Sequence, residues 1–236
     1  ELVELSGLAP AGNGNYWAIN DSGHPPELFL FDESGHVHKK VPLPAARNID
    51  WEARAADGAG RLYVADVGDN AARRPNYQIY QIGGVENDDV EVRRLQFRYD
   101  DGKARNCEAV FVFGERIILI SKERLGMHAA VFSLPLLAQA EKEPLLAERI
   151  GTLPLSAPVT DAAYSKERSE LAVLTYVGAL VFHFEKYEDL LDAPRHSFPG
   201  VFGQCEALPY TEDGRLLITN ESGGMWYYRF PGGTDA

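Results

Sequence analysis

Carboxylate side chains recur in this sequence at one position of a repeated pattern. The residues at this position are Ser6, Glu52, Glu108, Asp161 and Glu206. Hard divalent cations bind oxygen ligands, and Ca²⁺ takes about 6–8 of them in proteins. We therefore predict that the four carboxylates of this set, Glu52, Glu108, Asp161 and Glu206, are metal ligands and that the cation is Ca²⁺.

A second polar set closes the following strand of each repeat. Its members are Asp21, Asp66, Lys122, Tyr176 and Glu221, and each follows its partner in the first set by 14 or 15 residues. Two short antiparallel strands joined by a turn fit this spacing, and they bring both sets to one face. Carboxylates and an amine at such a face can transfer protons to a substrate. We predict Asp21, Asp66 and Lys122 as catalytic residues, with Asp66 or Asp21 as the general base.

Like charges gathered at one site repel one another, and each carboxylate raises the pKa of its neighbours. A bound cation would remove this repulsion. Backbone N–H donors from a neighbouring strand, or ordered water, would do the same without a metal. Repeated polar residues also tie neighbouring sheets together in repeat folds, so a purely structural ring of carboxylates stays open as the alternative.

Turn-like segments beside these positions supply further candidates. We predict that the ligand-binding residues are Asn20, Asp69, Asn70, Arg73, Asn220 and Glu221. Asp69 and Asn70 offer oxygen ligands, and Arg73 can hold an anion such as a phosphate or a carboxylate. An Asx turn whose carboxylate pairs with an arginine has the same residue types, and this interpretation stays open.

The elements that position these residues repeat together with the polar sets. An apolar second strand follows each turn, as at 16–19 and 62–65, and a third strand follows it, as at 28–31 and 77–80. The first polar residues of successive repeats are 45 to 56 residues apart, which is close to the roughly 40–50 residues of a four-stranded propeller blade. We therefore predict an all-β fold, a five-bladed β-propeller of four-stranded antiparallel blades, in a single domain spanning 1–236.

The last repeat is about one strand short. An open sheet edge promotes aggregation, and closing the ring removes it. We predict that the N-terminal segment near Glu1 supplies the missing strand and closes the ring. Helical patterns occur only inside connections, at 136–148 and 187–191.

Composition excludes several function classes. The chain has 236 residues, 45% of them hydrophobic, and a formal net charge of −12. Nucleic-acid binding needs clustered Lys and Arg, so we predict no nucleic-acid partner. No apolar run approaches the roughly 20 residues of a membrane helix, so we predict no membrane insertion, and we expect a monomer.

The two cysteines do not make a disulfide framework, and we predict that they are buried free thiols.

Several of these segments resemble a group of bacterial propeller proteins that are usually exported. The resemblance covers residues 4–125 and rests on the Asp-Trp-Glu motif at 50–52, the Gly-Asp-Asn motif at 68–70 and the segments 6–8, 20–23 and 106–109. The group is loosely related to esterase-like phytase and regucalcin-type propellers. The resemblance implies a propeller in a periplasmic or secreted location. In the regucalcin-type relatives a divalent cation at the pore mouth orients a lactone or an ester. This chain has no clear match for their full ligand set, and Asp161 replaces Glu in one repeat.

Two functions are compatible with these features. The first is a divalent-cation-dependent hydrolase of small esters, lactones or phosphoesters, with the acidic pore mouth as its site. The second is a non-catalytic propeller that binds a small-molecule ligand or a protein partner, with a structural ring of carboxylates. Exposed aromatic side chains would support this second function, and the candidates are Trp17, Trp51, Trp226, Tyr227 and Tyr228.

Overall fold

The fold is all-β, as the sequence predicts. The computed structural model describes residues 5–87, 89–136, 144–155, 157–200, 203–220 and 224–229. Within these ranges the chain forms nineteen β-strands and one turn of 3-10 helix at Tyr187–Asp189. None of the helical structure found in these ranges has the length and apolar character needed to cross a bilayer.

The strands form four sheets in chain order. The first sheet contains β1 (Leu5–Gly12), β2 (Asn15–Asn20), β3 (Glu27–Asp32) and β4 (Val37–Pro42). The second contains β5 (Trp51–Ala56), β6 (Leu62–Asp66), β7 (Tyr77–Gly83), β8 (Glu91–Tyr99), β9 (Cys107–Phe113), β10 (Arg116–Ser121), β11 (Ala129–Pro135) and β12 (Leu145–Leu153). The third contains β13 (Val159–Ser165), β14 (Glu170–Thr175), β15 (Gly178–His183) and β16 (Arg195–Pro199), and the fourth β17 (Cys205–Ala207), β18 (Leu216–Asn220) and β19 (Met225–Tyr228).

The second sheet joins two four-stranded antiparallel units through their outer strands. The ends of β8 and β12 pair in parallel, with Phe97 opposite Leu145 and Tyr99 opposite Ala147. Both strands have nine residues, and they belong to the two longest repeats. Because each outer edge covers the other, this pairing protects two edges that would otherwise be open.

Part of the helical pattern at 136–148 is strand in the structure. Residues 145–148 lie in β12, which pairs with β11 on one side and β8 on the other, while 137–143 lie outside the described residues. Pairing on both edges outweighs the local helical pattern of this segment, since tertiary context overrides intrinsic propensity.

The first strands of the repeats lie next to one another around a central channel. We call β1, β5, β9, β13 and β17 the inner strands. Each contacts the next in chain order, and β17 contacts β1. Five apolar clusters fill the spaces between successive groups of strands, and one of them joins Leu8 and Phe29 of the first group to Ala207 and Leu217 of the last. The predicted closing strand near Glu1 falls on residues 1–4, which lie outside the described residues.

A β-bulge interrupts every inner strand near its start. The residue left without a Cα partner is Gly7, Glu52, Glu108, Thr160 or Glu206. A bulge re-aims the side chain that it carries, so three glutamates of the predicted metal set share one orientation. Asp161 follows the bulge instead of occupying it, which places it one residue out of register with Glu52 and Glu108.

Both cysteines have free thiols, as predicted. Cys107 and Cys205 are fully buried in apolar clusters between neighbouring groups of strands. Their neighbours in sequence, Glu108 and Glu206, occupy the bulges, so the thiols face away from the channel.

Candidate functional site

A polar cavity of about 350 Å³ lies at one end of the channel. Its lining residues are Leu5, Ser6, Asp21, Glu52, Asn70, Glu108, Lys122, Tyr176, Gln204 and Glu206. We call this space the mouth cavity. The glutamates in the bulges of the inner strands line it, together with residues that follow the second strand of several repeats. Both polar sets therefore meet at one face, although the members differ from those predicted.

Three carboxylates form a cluster at the mouth cavity, and two of them, Asp21 and Glu52, line it. One oxygen each from Asp21, Asp50 and Glu52 lies within 4.8 Å of the other two. A set made only of carboxylate oxygens fits a hard divalent cation such as Ca²⁺. We call these residues the acidic triad. Of its members only Glu52 belongs to the predicted metal ligands, because Asp21 is predicted as a catalytic residue and Asp50 is not among the predicted site residues.

Two neighbouring residues hold the triad together. The Asn48 side-chain amide donates to the backbone oxygen of Asp21 at 2.7 Å, and its Oδ1 accepts from the Trp51 backbone N–H at 3.1 Å. Asn48 thereby fixes the turn after β2 against the start of β5. Gly68 leaves room on the other side, because a Cβ at this position would lie 2.4 Å from Cγ of Asp50 and 2.7 Å from Cγ of Glu52.

Burial and mutual repulsion disfavour the charged forms of the triad. Burial, together with the charges of Glu108 and Asp21, raises the pKa of Glu52 to about 10. Burial and the neighbouring Asp21 also raise the pKa of Asp50. Both shifts disfavour the charged carboxylate at these two positions, and a bound cation would favour it.

Another part of the mouth-cavity lining is a hydrogen-bonded network around Glu108. Lys122 Nζ donates to Glu108 Oε2 at 2.6 Å and to the Tyr176 hydroxyl at 2.9 Å. The Asn106 amide donates to Glu108 Oε1 at 2.9 Å and to Asn70 Oδ1 at 3.1 Å. Although burial opposes it, the charge of Glu108 raises the pKa of Lys122 above its usual value, so Lys122 is a cation at neutral pH and cannot serve as a base.

Asp66 and Asp69, two further predicted candidates, hold the scaffold of the site. Asp66 is fully buried, forms an ion pair with Arg74 Nη1 at 2.8 Å and accepts from the Asp50 backbone N–H at 3.1 Å. The Asp69 carboxylate accepts from the backbone N–H groups of Arg73 and Arg74 and from the Tyr77 hydroxyl. These N–H groups lie four and five residues beyond Asp69, so the arrangement differs from an Asx turn, whose bond reaches two residues on. No arginine side chain of the described residues is bonded to the Asp69 carboxylate.

We expect Asp66→Asn to lower the free energy of unfolding by about 3 kcal/mol, because it removes one partner of a buried ion pair. For a domain of this size the loss corresponds to a Tm decrease of roughly 6–12 °C. Thermal unfolding measures it, with Asp213→Asn as the control, since Asp213 pairs with Arg215 on an exposed surface and such pairs contribute little. Equal Tm values for the two variants would contradict a structural role for Asp66.

Asp161 lies outside the lining of the mouth cavity. Its side chain is 3% exposed, and its two oxygens accept from the backbone N–H groups of Ala162 and Leu208 at 2.8 and 2.7 Å. Burial raises the pKa of Asp161 to about 7, although Arg54 acts in the opposite direction. The position after the bulge turns this carboxylate toward the neighbouring inner strand.

The raised pKa of Asp161 predicts a pH-dependent stability. The folded protein binds the Asp161 proton more tightly than the unfolded chain, so the free energy of unfolding decreases as pH rises from the unfolded pKa near 3.8 to about 7. We expect Asp161 to contribute a slope of up to about 1.4 kcal/mol per pH unit in this window. Urea unfolding between pH 5 and 8 should show a shallower slope for Asp161→Asn than for the wild type. Parallel curves would contradict the assignment.

The remaining predicted ligand-binding residues are spread over the same face. Asn20 is buried, and its backbone oxygen accepts from the Asn48 amide at 3.2 Å. Arg73 is exposed beside the Asp69 turn, and Asn220 Oδ1 accepts from the Gly224 backbone N–H at 2.8 Å. Glu221 lies outside the described residues. Of the candidates that the structure describes, only Asn70 lines the mouth cavity.

The predicted aromatic surface is largely core. Trp17 and Trp51 are 4% and 0% exposed and pack in the apolar cluster between the first two groups of strands. Trp226 is 37% exposed, and Tyr227 and Tyr228 are partly buried. Trp226 is therefore the one residue of this set whose exposure supports an aromatic surface for binding a ligand.

The repeated sheets, the ring of inner strands and the polar mouth together define the fold as a β-propeller. No family model matches this chain, and no curated protein sequence matches it. Solved structures match it in shape. A gluconolactonase from Xanthomonas campestris aligns over 99% of this chain and 78% of its own, with a TM-score of 0.57 and 16% identity. A putative oxidoreductase (glucose dehydrogenase) from Thermus thermophilus aligns over 93% of this chain and 91% of its own, with a TM-score of 0.52 and 12% identity. At these identities the likeness is one of fold.

Proposed function

We propose that the mouth cavity is the active site of a divalent-cation-dependent hydrolase of small esters or lactones. The observation that carries this proposal is the acidic triad, two members of which line the same polar cavity as the Lys122 ammonium. A cation site beside a fixed positive charge is suited to a substrate whose carbonyl oxygen becomes negative during reaction.

Cation binding, charge stabilisation and proton transfer are assigned to different residues of the site. Asp21, Asp50 and Glu52 would hold the cation, which when bound polarises a substrate carbonyl and lowers the pKa of a water molecule. Lys122, held by Glu108 and Tyr176, stabilises negative charge that develops on the substrate oxygen. Glu206 lines the same cavity and is only partly buried, so we assign it to accept a proton from the attacking water.

The shape and chemistry of the mouth cavity support a small polar substrate. A volume of about 350 Å³ is near the lower end of ligand sites, which span roughly 300–1,000 Å³. Small lactones and esters fit this space. We propose lactones as the preferred substrate class because the fold is similar to that of a gluconolactonase. Phosphoesters are a weaker fit, since four carboxylates line the cavity beside one amine.

Ca²⁺ is the cation that we propose for the triad. The three carboxylates, on the turn after β2 and at the start of β5, offer oxygen ligands only. Ca²⁺ tolerates irregular oxygen coordination, whereas Mg²⁺ demands near-ideal geometry.

Hydrolysis assays test this function directly. Protein treated with EDTA and protein reloaded with Ca²⁺ are compared on a panel of small lactones, aryl esters and phosphomonoesters. We expect lactone or ester hydrolysis that is lost with EDTA and restored by Ca²⁺. Hydrolysis that is equally fast in both samples would refute the cation-dependent mechanism.

A non-catalytic binding propeller is the second candidate. The observation in its favour is that Glu108 is fully engaged by Lys122 and Asn106, as expected for a carboxylate that ties neighbouring strands together. In this case Ca²⁺ binding would persist without hydrolysis of any compound in the panel. A small-molecule ligand or a protein partner would then occupy the mouth cavity.

We also propose that the ring has five blades, with the N-terminal segment completing the last one, and that the protein is an exported monomer. The closed neighbourhood of inner strands and the apolar cluster between the first and last groups support the five-bladed ring. The resemblance of the motifs at 50–52 and 68–70 to exported propeller proteins supports the periplasmic or secreted location. Size-exclusion chromatography and cell fractionation test these two properties.

A further inference from the structure

A second cavity, of about 100 Å³, lies further along the channel. Its lining includes Leu8, Pro10, Ala56, Val112 and Ala163 together with Arg54. These residues come after the residues that line the mouth cavity on the same inner strands, as Arg54 and Ala56 come after Glu52 on β5. We call this space the channel cavity. Most of its lining residues are apolar, Tyr164 and Tyr210 add two hydroxyl groups, and Arg54 is the charged residue among them.

Arg54 is buried without the partners that a buried charge normally has. The residue is 4% exposed, and its Nε is among the buried side-chain atoms that make no hydrogen bond within the described part of the chain. A guanidinium group carries five N–H donors and no acceptor. Burial lowers the pKa of Arg54 to about 9, so the group still carries its charge at neutral pH.

Asp161 is the charged group that acts on Arg54. The two side chains do not form an ion pair, and both oxygens of Asp161 are already bound to the backbone N–H groups of Ala162 and Leu208. Asp161 therefore compensates the charge of Arg54 only from a distance. An incompletely compensated cation in an apolar cavity is costly, and a neutral water molecule would satisfy its donors without adding the missing charge.

We propose that the channel cavity binds a small inorganic anion of the size of chloride against the Arg54 guanidinium. The cavity volume admits an ion of this size with a few water molecules, since one water needs only about 10–15 Å³ of such space. A sugar phosphate or a nucleotide does not fit. The anion site differs from the acidic triad in the sign of its charge and in its position. The proposal does not depend on whether the mouth cavity is catalytic.

Thermal unfolding at constant ionic strength tests the anion site. Chloride is varied from 1 to 100 mM against isethionate, a much larger anion with a more dispersed charge, and EDTA is present throughout. For the wild type we expect a saturable rise in Tm of roughly 3–6 °C once chloride exceeds its Kd about tenfold. The Arg54→Met variant should show no chloride dependence, while the control Arg98→Met, which removes an exposed arginine of β8, should respond as the wild type does.

A diffraction experiment on the wild type decides the question even if Arg54→Met fails to fold. Crystals grown or soaked in bromide should give an anomalous peak at hydrogen-bonding distance from the Arg54 guanidinium. The absence of that peak, or a wild-type Tm that does not respond to chloride, would overturn the proposal and leave water as the occupant of the channel cavity.

Discussion

Replacing Glu52 by Gln is expected to lower the affinity for Ca²⁺ at least about 100-fold, since even residues that only orient a metal ligand change affinity about 10–100-fold. Hydrolysis should fall by a similar factor at Ca²⁺ concentrations below the new Kd. Asp50→Asn should have the same effect. Glu206→Gln should instead reduce hydrolysis while Ca²⁺ binding persists, because we assign Glu206 to proton transfer.

The fold should survive the Glu52→Gln change. Burial raises the pKa of Glu52 to about 10, so the cation-free protein holds this side chain neutral at pH 7, and Gln has nearly the same shape as the neutral acid. We therefore expect equal Tm values for the wild type and Glu52→Gln in EDTA, and a higher Tm for the wild type alone when Ca²⁺ is added. Glu148→Gln, on the exposed face of β12, is the matched control and should respond to Ca²⁺ as the wild type does. A Ca²⁺ response retained in Glu52→Gln would remove this residue from the site.

Replacing Lys122 by Met is expected to lower the free energy of unfolding by about 3 kcal/mol, because it leaves a buried carboxylate without its partner. The Lys122 and Glu108 side chains are 19% and 3% exposed, so solvent screens their interaction only weakly. Lys122 also donates to the Tyr176 hydroxyl, and this bond is lost as well. Chemical unfolding at pH 7 in EDTA measures the effect on stability, separately from any effect on hydrolysis.

A double variant separates the ion pair from general packing. The pair Lys122→Met with Glu108→Gln should be more stable than Lys122→Met alone, because the unpaired carboxylate is gone. Lys40→Met is the control, since Lys40 pairs with Glu27 and is 47% exposed, and its effect should be small. A double variant as unstable as the sum of both single variants would show that the two side chains are not coupled.

The repeat was the feature that the sequence predicted best. The 14- to 15-residue offset requires two short strands and a turn, and the structure has this hairpin in every repeat, from β1 and β2 to β17 and β18. The convergence of both polar sets on one face follows from the antiparallel pairing alone. Glu52, Glu108 and Lys122 therefore lie in the mouth cavity as the pattern predicts.

The details of the site depended on features that spacing does not encode. A bulge holds Thr160 instead of Asp161 in the fourth inner strand, and a shift of one residue turns a side chain away from its predicted face. Asp50 precedes its strand and so fell outside the aligned positions, although it stands beside Trp51 in the Asp-Trp-Glu motif. The pairing of β8 with β12 depends on where two long outer strands end in space, which local residue patterns do not determine.

Calorimetric titration of the EDTA-treated protein with Ca²⁺ tests the central claim most directly. For the wild type we expect one saturable site per chain, and for Glu52→Gln and Asp50→Asn we expect that site to be lost, while Glu148→Gln retains it. Three carboxylate oxygens within 4.8 Å of one another would then be the cation site of this propeller. A wild-type titration without binding heat or stoichiometry, or one unchanged by both triad substitutions, would contradict it.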